Sequence, residues 1–71
     1  MKATNSNGIT ISKDTGKQFP YGVVVQLQDR AFAHWAGSRE LAEKKANTER
    51  KGWENAANSS ELISIEVVAT A

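Results

Sequence analysis

Three adjacent valines constrain this chain more than any other feature. Val23-Val24-Val25 sit at the centre of Tyr21–Leu27, a run rich in side chains that favour extended backbone. Gln28-Asp29-Arg30 reads as a turn, though it lacks a glycine, and Ala31-Phe32-Ala33-His34-Trp35 reads as the returning strand. Together they predict a β-hairpin. A three-residue loop sets Leu27 opposite Ala31, Val25 opposite Ala33 and Val23 opposite Trp35. One face then carries Val23, Val25, Leu27, Ala31, Ala33 and Trp35, and its two alanines would let a helix approach closely. The other face carries Val24, Gln26, Phe32 and His34. A four-residue loop would pair Leu27 with Phe32 and Val25 with His34, because a slip of one residue moves a strand's side chains to the opposite face. The three-residue register is the expected one.

A helix should follow. Gly37 ends the strand and Ser38 is a natural N-cap, its hydroxyl able to accept from an unpaired first-turn N–H. Glu40 suits the positive end of the helix dipole. Arg39–Glu43, Glu40–Lys44, Lys45–Glu49 and Arg50–Glu54 are opposite charges four residues apart, a spacing that marks a solvated helix face. Leu41, Ala42, Ala46, Trp53, Ala56 and Ala57 form an apolar stripe that Lys45 and Glu49 interrupt. Gly52 could end the helix or lie within it. Trp53 keeps to the stripe if the helix continues, so the predicted helix runs from Arg39 to about Ala57, with Asn58-Ser59-Ser60 as the loop. Leu62–Val68 is the final strand, Ile63, Ile65 and Val67 buried and Ser64 and Glu66 on the opposite side.

The first twenty residues are rich in turn signals. Asn7-Gly8 and Asp14-Thr15-Gly16-Lys17 are turn sequences, and Ile9–Ser12 alternates as a short strand. Pro20 biases Phe19 to extended backbone. The expected order is β-β-β-α-β in a single domain spanning residues 1–71, with residues 1–19 a strand or loosely ordered arm. The fold class is α+β: a small antiparallel sheet of three or four strands with one helix on one face.

Composition narrows the functions. With 71 residues and no cysteine, the chain supports one modest core without disulfides, near the size where self-association often adds stability. Nine basic residues against eight acidic ones leave a net charge of +1, far from the basic excess of a dedicated nucleic-acid binder. Met1–Ser6 lacks the apolar stretch of a signal peptide, and no apolar run approaches the roughly 20 residues of a membrane span. The expected location is the cytoplasm. Asn58-Ser59-Ser60 matches the glycosylation sequon, which is read as a chance match in a chain without a secretion signal.

No motif assigns a chemistry. His34, the only histidine, could serve as a general base but has no sequence-evident nucleophile or orienting carboxylate. Glu40, Glu43, Glu49 and Glu54 belong to the helix charge ladder. Gly16-Lys17 fails as a phosphate-binding loop: Ile11 stands where the first glycine belongs, Gln18 follows the lysine, and Pro20 disfavours a helix there. Trp35 and Trp53 are read as core, one from the sheet and one from the helix. No cofactor or metal is expected.

The second sheet face is the remaining candidate. Tyr21, Val24, Phe32 and His34 could form an exposed aromatic patch there, of the kind on which RNA-binding sheets stack bases. An N-terminal arm with Ile9 and Phe19, or a dimer mate, would otherwise cover it. Lys44, Lys45, Arg50 and Lys51 could contact phosphates, but from the opposite side. Gly37–Ala46 resembles the strand-to-helix junction of double-stranded RNA-binding domains over ten residues. The family's first helix has no counterpart here and a strand follows the helix, so the family is not assigned. In size and architecture the chain is similar to phage- or mobile-element-encoded accessory proteins, some of which block a host defence or replication complex. The resulting expectation is a non-enzymatic module that occludes a surface of a protein partner through Tyr21, Phe32, His34 and Trp35, a homodimer being possible. The alternative is a nucleic-acid binder using the aromatic face with Lys44, Lys45, Arg50 and Lys51.

Overall fold

A computed structural model describes residues 1–14 and 16–71, so of the Asp14–Lys17 turn sequence Thr15 lies outside the described residues. The protein is α+β. Strands β1 (Lys2–Thr4), β2 (Thr10–Ser12), β3 (Tyr21–Leu27) and β4 (Ala31–Ala36) precede helix α1 (Arg39–Glu54), and a turn of 3-10 helix (Ser59–Glu61) leads into β5 (Leu62–Ala69). β1 and β2 form an antiparallel hairpin, and the main sheet has the order β4-β3-β5, with both outer strands antiparallel to β3. Residues 2–4 form a strand that the sequence reading did not separate from the arm.

The three valines explain this layering. Val23, Val24 and Val25 are all 0% exposed, which requires β3 to be covered on both faces. Helix α1 covers one face, where Val23, Val25 and Leu27 meet Ala36, Ala42 and Ala46, with Tyr21, Phe32, Trp53, Leu62, Ile65 and Val67 packed around them. The β1–β2 hairpin covers the other. Ala3, fully buried, lies where a Cβ on Gly22 would meet it at 3.0 Å and the Trp35 ring at 3.3 Å. The turn of the hairpin is tied down by side chains: Asn5 and Asn7 donate to Gln26 Oε1 (2.8 and 3.0 Å), and the Ser6 hydroxyl donates to Glu66 (2.9 Å). Gly8, with φ +82°, takes the left-handed position that the Asn7-Gly8 signal predicts. The second sheet face is therefore roofed, and no exposed aromatic patch exists there among the described residues.

The hairpin register differs from both expected ones. Leu27 N–H donates to Arg30 C=O at 2.7 Å, so the loop is the two-residue Gln28-Asp29, and Val25 lies opposite Phe32, Val23 opposite His34 and Gly22 opposite Trp35. Shortening the expected loop by one residue reverses the faces of β4. Phe32 and His34 turn to the helix side, while Ala31, Ala33 and Trp35 turn to the hairpin side. Large and small side chains then match: Phe32 joins the core that holds the small helix residues Ala42 and Ala46, and Trp35 lies across Gly22, an aromatic filling the gap left by a glycine.

Two further boundaries shift. Ser38 caps α1 as expected, its Oγ accepting from Leu41 N–H at 3.2 Å, and Gly52 lies inside the helix. The helix stops at Glu54 rather than Ala57, because Asn55 caps it and donates from Nδ2 to the Lys51 carbonyl at 3.0 Å. β5 carries a bulge: Gln26 pairs with Ser64 but Leu27 pairs with Leu62. The extra residue, Ile63, is 43% exposed, and Leu62 takes the core position that alternation assigns to Ile63.

Candidate functional site

The four aromatic residues expected to share a binding face do not. Tyr21 and Phe32 pack against the core beneath α1, while Trp35 lies under the N-terminal hairpin. His34 is on the helix side, edge-on to Phe32 with ring centroids 5.6 Å apart. Its side chain stays 42% exposed and Nε2 donates to Glu49 Oε1 at 2.7 Å. The sequence reading placed Glu49 in a helix salt bridge with Lys45; in the fold the edge strand supplies a nearer partner for each. Glu49 takes His34, and Lys45 Nζ donates to the Trp35 carbonyl at 2.8 Å.

Helix cations are thus partly committed to the sheet. Arg50, expected to pair with Glu54, donates to Asn47 Oδ1 at 3.0 Å and to the Ile65 carbonyl at 3.4 Å. Lys44 pairs loosely with Glu40, and Arg39 with Glu43, each at 3.9 Å. Lys51 is exposed on the last turn. The four cations of the nucleic-acid alternative therefore do not form one free stripe: Lys45 reaches an acceptor on β4 and Arg50 one on β5. Among the described residues, no group of three histidine, cysteine or carboxylate side chains is placed to hold a metal ion, and no helix is long and apolar enough to cross a membrane.

His34, Lys44, Lys45, Thr48 and Glu49 line an open notch of about 400 Å³ between α1 and the outer side of β4. The Thr48 hydroxyl donates to the Lys44 carbonyl at 3.0 Å and so is turned onto its own helix. The notch lies beside the feature that sequence reasoning missed, the backbone edge of β4. Leu27–Arg30 is a hydrogen-bonded pair of the antiparallel ladder. Such pairs alternate with pairs whose N–H and C=O groups point away from the neighbouring strand. Phe32, His34 and Ala36 therefore bond to β3, and Ala31, Ala33 and Trp35 aim their backbone groups outward. Lys45 occupies the Trp35 carbonyl. Among the described residues nothing bonds to the outward N–H and C=O of Ala31 or Ala33.

The two edges of the sheet are treated differently. Sheet edges are usually blunted by charges, proline, bulges or a covering segment. β5 carries the Ile63 bulge, Glu66, the Arg50 contact at Ile65 and, just past its end, a main-chain exchange between Ala71 and Lys2 at 2.9 and 3.1 Å. β4, Ala31-Phe32-Ala33-His34-Trp35-Ala36, has no bulge, proline, lysine or carboxylate of its own, and the Lys45 contact from α1 reaches only its Trp35 end, away from Ala31 and Ala33. That uncharged composition was visible in the sequence; its position at an open edge was not. Comparison with protein families, curated proteins and solved structures finds no match to this chain.

Proposed function

We propose that this protein is a non-enzymatic binding module that takes up a strand of a protein partner along the open edge of β4 and so occludes that partner's surface. Surface occlusion is also how some of the accessory inhibitors it resembles in size and architecture act. The observation that carries the reading is the pair of unpartnered outward groups at Ala31 and Ala33 on a strand without lysine, arginine, carboxylate, proline or bulge. Strand addition draws its affinity from main-chain hydrogen bonds and its specificity from alternate side chains beside the edge. The notch of His34, Lys44, Lys45, Thr48 and Glu49 supplies that side-chain contact on the helix side. On this reading His34 contacts the partner from the notch, while Tyr21, Phe32 and Trp35 act by holding β4 in place.

The test is retention of partner proteins on immobilised protein, compared with Ala33→Pro. Proline at this position removes an N–H that faces away from β3 and is tolerated on edge strands. Loss of the retained protein by a variant that still unfolds cooperatively supports strand addition. Equal retention rules it out. Fluorescence anisotropy with labelled single-stranded RNA and duplex DNA tests the alternative, since phosphate-driven binding must weaken steeply with salt. The expected result is no binding at physiological salt.

A further inference from the structure

We propose that the partner at this edge is a second copy of the same chain, pairing β4 with β4 antiparallel about a two-fold axis at Ala33. The proposal rests on the strand-addition reading and names its occupant.

The register follows from which groups are free. Ala31, Ala33 and Trp35 point outward. An axis at Ala33 sets Ala33 opposite the partner's Ala33 and Ala31 opposite the partner's Trp35, so all three outward residues of each copy meet outward residues of the other. Moving the axis to Phe32 sets Trp35 against the partner's Asp29 in the turn. Moving it to His34 sets Ala31 against the partner's Gly37, beyond the strand. Neither uses the whole edge.

Side chains agree with the same register. On the hairpin side each tryptophan faces an alanine. On the helix side Phe32 faces the partner's His34, extending the edge-on ring contact already present within each chain into a four-ring cluster. Cross-strand aromatic pairs of this kind stabilise a sheet. Residues 31–36 contain no lysine, arginine or carboxylate, and a net charge of +1 opposes association very little.

The helices have room. A two-fold axis perpendicular to the sheet places both copies of α1 on one face. β3 and the partner's β3 are three strand spacings apart, about 14 Å at about 4.8 Å each. A helix with its side chains is about 10–12 Å across, so two helices lie side by side with the His34–Glu49 notches between them. Lys45 is the group that must adjust, since the Trp35 carbonyl gains a main-chain donor. A carbonyl accepts two hydrogen bonds, and the ammonium can also turn into the notch. The product is one sheet of six strands, β5-β3-β4-β4-β3-β5. Its benefit is greatest for a chain whose largest fully buried side chains are valines and which has no disulfide.

The native sequence has no cysteine, which gives a register test without background. Paired Ala33 Cα atoms would be about 5.5 Å apart, within disulfide range. Ala33→Cys should therefore form a covalent dimer under mild oxidation at least about tenfold faster than Ala31→Cys, whose two copies lie four residues out of register, beyond disulfide reach. Sedimentation velocity of the unmodified chain should show a concentration-dependent dimer that Ala33→Pro abolishes. Equal cross-linking of the two cysteine variants, or a dimer that survives Ala33→Pro, overturns the proposed pairing. A chain that stays monomeric also overturns it. If Ala33→Pro nevertheless abolishes retention of a different protein, strand addition stands and the second copy falls; if retention is unaffected, both fall.

Discussion

Gly22 shows how closely the layers are fitted at single residues. A Cβ there would meet Ala3 Cβ at 3.0 Å and the Trp35 ring at 3.3 Å, both on the hairpin side of the sheet. Gly22→Ala should cost about 1–2 kcal/mol through overpacking. Ala3→Gly in the same chain should recover part of that loss, and a double-mutant cycle in urea would measure the coupling. Additive effects would show that the hairpin does not press on β3 here. Phe32 belongs to the same scale. The sequence reading expects Phe32→Ala with Tyr21→Ala to remove binding and spare the fold. Both side chains pack against the core beneath α1, so Phe32→Ala alone should lower stability by about 2 kcal/mol, less than a fully buried phenylalanine because the residue is half-buried. An unchanged urea midpoint would contradict this placement.

At the scale of elements, α1 and β5 separate what local pattern decides from what it does not. Ser38, Glu40 and the run of helix formers specify where α1 begins, and the cap forms as expected. Gly52 is a local weakness with no tertiary purpose: it lies in the helix, and a Cβ there would have no neighbour within 4 Å. Gly52→Ala should therefore stabilise the protein by about 0.5–1 kcal/mol, read as a raised unfolding midpoint. In β5 alternation treats Ile63 and Ile65 as equals. The bulge opposite Leu27 makes them unequal, leaving Ile63 exposed while Ile65 packs on the core. Ile65→Ala should cost about 2–3 kcal/mol and Ile63→Ala less than about 1 kcal/mol. Similar losses at both sites would place the bulge elsewhere. Nothing in Leu62-Ile63-Ser64 announces a bulge, since it arises from fitting the strand to the 3-10 turn before it and to Leu27 beside it.

For the whole molecule, stability depends on covering both faces of one central strand. Removing residues 1–13 would uncover Val24 and Trp35, and the truncated chain should lose its cooperative unfolding transition and shift its tryptophan emission to the red. A retained transition would mean that α1 alone supports the sheet. The same layering explains why the candidate site was hard to read. With β3 covered on both faces by its own chain, no sheet face is left for a partner, and the main-chain groups still free lie along the strand edges. Edge groups are backbone atoms, present at every residue and exposed only by topology. His34 was singled out from sequence and does lie beside the open edge, but the expected aromatic face around it followed from a loop one residue too long.

Local chemistry alone specifies the α+β class, the central valine strand, the capped start of the helix and the final strand. The signals are β-branched side chains, a serine before a run of helix formers, and period-two alternation. Contacts between distant parts of the chain settle everything else. A two-residue loop chose which face of β4 meets the helix, because side chains alternate and one residue reverses them all. The roofing of β3 by residues 2–12 depends on Ala3, Asn5 and Ser6 meeting Gly22, Gln26 and Glu66. The redirection of Lys45, Glu49 and Arg50 from helix salt bridges to β4 and β5 follows from the same cause. Partners four residues apart on an exposed helix hold each other weakly, and a nearby carbonyl or imidazole from another element competes with them.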